Sequence, residues 1–236
     1  MKKQASIILA ALLAVSLTAC SGGKTETPAT TAAGETSAAT EAASTAGGDN
    51  TAVSPDNDFV IALQADATHL DPHVSGNGVS NTITNSMYET LVWFDENLEL
   101  KPLLAKSWTV SDDGLDYTFV LNEGIKFHDG EPFNAESIVA NYERAKSDSS
   151  LRLASQTAMW DSVTVDSEYQ VTIHLKEPNN TFLNKLAQVR IVSPKAIKEL
   201  GKDGLAKQSA GTGPFILSER VDGGYTKMVR NENYWQ

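Results

Sequence analysis

Several absences narrow this sequence before any motif is read. It has one cysteine, Cys20, so no intrachain disulfide can form and the fold must hold by packing alone. It has only four histidines, and no thiolate or third histidine joins the pair His69 and His73 as a metal cluster would require. Positive charge is scarce: 19 Lys and Arg stand against 30 Asp and Glu, a formal net charge of -11. That balance excludes the basic stripe that nucleic-acid binding needs, and it opposes docking of the domain surface on anionic lipid. There is no phosphate-binding loop and no G-x-S-x-G elbow. No nucleophile and base are concentrated together, so an enzyme is not expected. Between Ser21 and Ser54 there is no aromatic residue and no Leu, Ile or Met. Such a stretch cannot bury enough apolar surface to offset chain entropy and is expected to be a flexible spacer.

What precedes the spacer is a targeting segment. Lys2 and Lys3 form a basic start, and Ile7 to Leu17 is apolar but too short to span a bilayer. Leu17-Thr18-Ala19-Cys20 then matches a bacterial lipobox. In such a signal the cysteine thiol receives a diacylglycerol and the leader is cut just before it; the alternative is an ordinary secretory leader with a chance cysteine. The expected organisation is a leader over 1–19, a lipidated Cys20 with its tether over 20–55, and a folded domain over 56–236. Loss of Lys2 and Lys3 with the leader removes two positive charges and takes the net charge from -11 to -13. The expected location is the outer face of the cell membrane, extracellular in a Gram-positive cell and periplasmic otherwise.

The folded part, roughly 180 residues, is long enough for a true core. Its patterning mixes two periods. Leu115, Tyr117, Phe119 and Leu121 alternate with Asp116, Thr118 and Val120, after Trp108 and Val110 and the turn Ser111-Asp112-Asp113-Gly114. This predicts a hairpin with one apolar face. A turn at His128-Asp129-Gly130-Glu131-Pro132 leads to Asn134 as an N-cap, with Ile138, Val139, Tyr142 and Ala145 as a buried helical stripe. Val163 and Val165, a turn at Asp166-Ser167-Glu168, and Tyr169, Val171, Ile173 and Leu175 predict a second hairpin, and Phe215 to Val229 a last one turning at Gly223-Gly224. Phe59, Ile61 and Leu63 predict an opening strand. Val79, Ile83, Met87 and Leu91 predict a helix. Phe182, Leu183 and Leu186 predict a short helix, Val189 to Val192 a buried strand, and Ser193-Pro194 the start of a helix that Gly201 ends. Hairpins and helices are interspersed, so the class is mixed α/β.

The run Lys101-Pro102-Leu103-Leu104-Ala105-Lys106-Ser107-Trp108, then Asp113-Gly114, Tyr117-Thr118-Phe119 and Phe127-His128-Asp129-Gly130, resembles the family 5 extracellular solute-binding proteins of ABC importers, the peptide/nickel type. The resemblance takes in Leu70-Asp71-Pro72-His73 and Tyr88-Glu89-Thr90-Leu91 upstream. Downstream it reaches Leu175-Lys176-Glu177-Pro178, Gly211-Thr212-Gly213-Pro214-Phe215 and Arg230-Asn231-Glu232-Asn233-Tyr234-Trp235. Asn122-Glu123 replaces the usual basic pair before Gly124, which reads as a surface change. The resemblance implies a periplasmic-binding-protein-like fold of type II. This chain would be its first lobe, stopping at the crossing into a second lobe that is absent. The outer subdomain would span about 101–202, and 56–100 with 203–236 would form the sheet nearest the ligand.

The same resemblance implies the site. Two lobes close on a solute without catalysis or cofactor. From this lobe, the loop after the first strand contributes Asp66, Thr68, Ser75 and Asn77, with Asp66 available to a ligand's α-ammonium group; the alternative is that Asp66 only caps its loop. Met159 and Trp160 are a second wall or, equally, core. Tyr234 and Trp235 are hinge-side packing residues. Gly211-Thr212-Gly213 either borders the cleft or simply bends the backbone. His128 and His174 read as solvated or structural, and Asp112-Asp113 as turn residues. The expected partners are a peptide or other small solute, the permease and ATPase subunits, and the membrane through the lipid anchor. The rival readings are a truncated, non-binding remnant or structural surface lipoprotein and, behind it, a binder of nickel complexes.

Overall fold

A computed structural model describes residues 58–74 and 76–236. The leader, Cys20, the tether and Ser75 lie outside the described residues. The elements run α1 (Gly78–Asn85), β1 (Val92–Phe94), β2 (Leu100–Pro102), β3 (Ala105–Val110), β4 (Asp116–Leu121), α2 (Ala135–Ser147), α3 (Arg152–Gln156), β5 (Trp160–Ser167), β6 (Gln170–Leu175), α4 (Phe182–Leu186), α5 (Pro194–Leu205), β7 (Phe215–Val221) and β8 (Tyr225–Arg230). All strand pairs are antiparallel. They form one four-stranded sheet in the order β3-β4-β6-β5 and two ribbons, β1-β2 and β7-β8.

The four-stranded sheet follows directly from the period-two pattern. Gly114 takes a positive φ of 72° and closes the β3-β4 turn, where Asp113 Oδ1 accepts from Ser111 Oγ and the Leu115 amide. Trp108 then stands opposite Phe119, and Tyr117 opposite Ile173. Tyr117, Phe119, Leu121, Val171, Ile173 and Leu175 are all buried on one face. Helix α2 covers that face with Ile138, Tyr142 and Ala145, and the Asn134 amide donates to Ser137 Oγ at its start. Tyr142 stacks on Trp160 at 5.7 Å, Trp160 meets Phe182 edge-on, and Phe182 lies 4.3 Å from Tyr117. Burying each large apolar side chain contributes about 1.5–3 kcal/mol, so this cluster dominates the apolar energetics.

A second buried cluster joins Ala67, Leu70, Val79, Ile83, Met87, Tyr88, Val192, Ala196, Leu205 and Ala210. It gathers α1, α5 and the loop before α1.

Five expectations need correction. Phe59, Ile61 and Leu63 form no strand and are 87%, 60% and 41% exposed. Alternation yields a strand only where a neighbour pairs with it, and among the described residues none does. The helix over Val79–Leu91 ends at Asn85; Met87 is buried from the turn that follows it and Leu91 from a bend before β1. Val189–Val192 is buried but makes only a single bridge, Thr90 with Arg190. Its backbone is satisfied by a side chain: Asn141 of α2 donates to the Val192 carbonyl at 2.7 Å and accepts from the Val192 amide at 3.0 Å. The second hairpin turns at Glu168-Tyr169, so Tyr169 leaves the strand. Asn122 is not merely a surface change, because its side chain donates to the Leu103 carbonyl at 2.7 Å. Gly201 does break α5, with a φ of 59° and a short helical piece after it.

Candidate ligand-binding loop and its supports

The loop between residue 64 and α1 is fixed from both ends by polar groups. At its centre Asp71 and His73 are buried, and Arg144 of α2 reaches them. Arg144 Nη2 donates to Asp71 Oδ2 at 2.5 Å, and Nη1 to Asp71 Oδ1 at 3.2 Å and to His73 Nδ1 at 2.8 Å. His73 Nε2 faces the Arg190 carbonyl at 2.8 Å. A carbonyl only accepts, so Nε2 carries the proton and Nδ1 is the acceptor. Burial, then the Arg144 charge, lowers the His73 pKa to about 4. Both ring nitrogens are thus engaged, and His69 and His73 cannot form a chelating pair. Among the described residues no group of three His, Cys, Asp or Glu is placed to hold a metal ion.

Toward α1, Ser80 is the hub. Asn77 caps the helix by accepting from the Ser80 amide at 2.8 Å and from Ser80 Oγ at 2.9 Å. Ser80 Oγ in turn accepts from the Thr68 and His69 amides at 2.9 Å and 3.3 Å. Asn77 Nδ2 donates to the Asp66 carbonyl. Thr68 and Asn77, singled out in the sequence, are therefore brought together, and Asp66 joins them. The Asp66 carboxylate accepts from the Gly223 amide in the β7-β8 turn and from its neighbour Ala67, and it faces Arg220 at 3.5 Å. The Gly223 bond is the largest cause holding its pKa below the usual carboxylate range. Asp66 is exposed, yet both of its oxygens already accept backbone donors.

Met159 and Trp160 fall elsewhere. Trp160 is 3% exposed inside the aromatic cluster, which corrects its assignment to a ligand wall. Its ring fills the space between α2 and α4, where a cleft residue would leave a face free. Met159 is half-buried and packs against the same cluster.

Tyr234 and Trp235 converge on a residue that the sequence did not single out. Glu89 is buried and accepts from Tyr234 Oη, Trp235 Nε1 and Thr212 Oγ1 at 2.8, 2.8 and 2.7 Å. Burial raises its pKa, and the three donors oppose that shift. Thr212 is delivered by two glycines in close contact: a Cβ on Gly211 would lie 2.0 Å from the Met87 carbonyl oxygen, and one on Gly213 would lie 2.7 Å from the Ser86 carbonyl oxygen. The Gly-Thr-Gly run is therefore a close-packed joint. His128 is structural as well, with its amide on the Gly211 carbonyl and Nε2 on the Gly213 carbonyl. His174 bridges Asp116 and Thr164 on the polar side of the sheet.

Arg144, Ser80 and Arg220 were missed from sequence, and Glu89 and Thr212 stood there only inside family-like runs, without the contact that joins them. The one signal for Glu89 was a charge set among residues that are buried, Met87, Tyr88, Leu91 and Val92.

The family described as bacterial extracellular solute-binding proteins, family 5 Middle, matches residues 99–236. The glutathione-binding protein GsiB of Salmonella typhi is 35% identical over 182 residues, which is 76% of this chain and 35% of the relative. Two solved structures superpose with TM-scores of 0.66 and 0.65: the periplasmic binding protein DppA of Helicobacter pylori with peptide STSA, and NikA of Brucella suis with Fe(III)-EDTA. They are 28% and 31% identical, and the match covers 73% and 74% of this chain but 38% and 36% of theirs. The chain thus spans about a third of the length of the curated relatives it matches.

Proposed function

Because the chain belongs to the family 5 bacterial extracellular solute-binding proteins, we propose that it serves an ABC importer by capturing oligopeptides or dipeptides at the outer face of the cell membrane. Support for a peptide comes from relatives that bind glutathione or the peptide STSA. It also comes from the described part of the loop, which hydrogen bonds tie to Arg144, Ser80 and Gly223. A preorganised loop can meet an extended peptide without a further entropy cost. Thr68, Ser75 and Asn77 border the ligand in this reading. Asp66 meets a free amino terminus only on the side left open by Gly223 and Ala67. The peptide reading is preferred to a nickel complex because His73 is closed to a metal. Tyr234 and Trp235 act at the hinge through Glu89, and Cys20 carries the lipid that holds the protein near the permease and ATPase subunits.

Calorimetry with di- and oligopeptides tests this. Ligand sites commonly bury about 70–90% of a small ligand, so residues 56–236 alone are expected to bind weakly. Extension by a second lobe, in cis or as a separate chain, is expected to bring binding to micromolar or tighter. No peptide binding in that longer form would refute the reading. Detergent partitioning tests the anchor: one acyl chain holds only marginally and two hold stably, so Cys20→Ser is expected to shift the protein out of the detergent phase.

A further inference from the structure

Acidic residues outnumber basic ones in this chain, 30 to 19, yet two neighbouring arginines stand without a carboxylate. Arg152 is the first residue of α3, and Arg190 makes the single bridge to Thr90. Both are half-buried, and among the described residues neither pairs with an Asp or Glu. Asp71, the acid of the adjoining loop, is spent on Arg144 through both of its oxygens. Neutral groups hold the two arginines instead. Arg152 Nη2 donates to the Pro72 carbonyl at 3.1 Å, and Arg190 Nη2 donates to Asn85 Oδ1. A carbonyl or an amide positions a cation without neutralising it. Burial lowers the pKa of both, and the Arg152 charge helps to take that of Arg190 to about 10. Two like charges drawn part-way out of water repel each other and favour an anion beside them. Arg190 Nε and Nη1 have no acceptor among the described residues and are not enclosed, so they remain open to one.

The pair stands at one end of the loop that precedes α1. Arg152 meets that loop at the Pro72 carbonyl, the Leu153 amide meets the His73 carbonyl at 3.3 Å, and His73 Nε2 meets the Arg190 carbonyl. Asp66 stands at the other end. Its carbonyl accepts from Asn77, the N-cap of α1, whereas Arg190 holds Asn85, the last residue of α1. The two ends are therefore separated by about the length of this helix. Its 8 residues, at about 1.5 Å each, span roughly 12 Å. An extended peptide advances about 3.3–3.6 Å per residue, so about three to four residues cover the same distance.

We propose that Arg190, backed by the charge of Arg152, receives the terminal carboxylate of a short peptide whose amino end lies at Asp66. This rests on the reading of the loop as a peptide site and adds to it a carboxylate pole and a length. The bond is charge-assisted and so about twice as strong as a neutral one. The carboxylate also supplies the negative charge that the two arginines lack.

The full chain, uniformly ¹⁵N-labelled, is titrated with sulfate, triglycine, triglycine amide and diglycine, and the Arg190 Nε signal is assigned by substitution. Sulfate reads the arginine pair without any peptide and is expected to shift Arg190 Nε. Triglycine is expected to shift the same signal and to bind at least tenfold tighter than its amide, which lacks the carboxylate. Diglycine, too short for the span, is expected to bind several-fold more weakly than triglycine. Arg190→Gln is expected to reduce triglycine to the level of the amide and to leave the amide unchanged, whereas a loss of fold would weaken both alike. Arg190→Lys keeps the charge and is expected to recover part of the difference. Equal binding of triglycine and its amide overturns the proposal, and so does an Arg190 signal that sulfate does not move. If sulfate moves Arg190 but no peptide moves the Thr68 and Asn77 amides, the peptide reading fails and this proposal with it. If peptides move those amides while Arg190 stays silent, this proposal alone fails.

Discussion

The four-stranded sheet with α2 and the loop with its β7-β8 ribbon are stabilised by different physics. The sheet is held by apolar burial in a strict register, with Phe119, Leu121 and Ile173 fully enclosed. The loop is held by polar ties to distant chain, Asp71 to Arg144 and Asp66 to Gly223, and a third such tie joins Tyr234 and Trp235 to Glu89 beyond α1. Apolar burial tolerates small adjustments and is graded. A buried ionic tie is close to all-or-none, because losing one partner strands the other. The difference suits a scaffold that stays fixed beside a loop that must keep one shape.

The largest effect is expected at the ionic tie. Arg144→Met leaves the Asp71 carboxylate buried without its cation, which typically costs about 3–5 kcal/mol. Chemical denaturation should show that loss, and pairing the change with Asp71→Leu should recover most of it. A single mutant as stable as the parent would erase the contrast between the two regions. Phe119→Ala is expected to cost a comparable amount, about 3–5 kcal/mol, as a cavity. Asp116→Ala on the opposite face, with a half-exposed carboxylate bonded to His174, should cost far less. Equal effects would disprove the register.

The third test is pH. His73 titrates near 4 in the fold and near 6.5 when unfolded. Its folded pKa is lowered, so its contribution is present above 6.5 and is lost as pH falls through 6.5 toward 4. The loss should reach about 3 kcal/mol. Glu89 has the opposite sign: its raised pKa makes its contribution complete at low pH and lost as pH rises through the raised value. Denaturation midpoints from pH 7 to 4 in the parent and in His73→Gln should show the first slope in the parent alone. Smallest is Tyr234→Phe, which removes one donor to Glu89. A hydrogen bond to a charged group contributes about 1.5–3 kcal/mol, and the two remaining donors should hold the loss to the lower end. Tryptophan fluorescence from Trp235 would follow it.

These two regions were unequally legible in the sequence. The β3-β4 and β5-β6 hairpins, α2 and β7-β8 could be read because their signals are local: alternation, Asp-Gly turns, and an N-cap before an apolar stripe. Placing Asn77 and Thr68 near each other was also within reach, since both lie within one loop. The ties were not, because their partners lie far apart along the chain: Asp71 and Arg144 by 73 positions, Glu89 and Trp235 by 146, Asp66 and Gly223 by 157. Periodicity carries no information about such pairs. Trp160 misled for the converse reason. An aromatic at the start of a strand reads alike whether its ring faces a cleft or, as here, stacks on Tyr142.

The Gly211-Thr212-Gly213 joint has a consequence at the level of the gene. Every missense change from a glycine codon adds a Cβ, so the genetic code offers these two positions no neighbouring residue that fits. At Gly211 the added carbon collides with the Met87 carbonyl, and at Gly213 it presses on the Ser86–Met87 backbone. Gly78, by contrast, has open space where its Cβ would stand. In a library of single-nucleotide variants selected for folding, codons 211 and 213 should remain almost purely glycine while codon 78 drifts. The joint would thus stand out in a mutational record as two silent columns flanking the threonine that they deliver to Glu89.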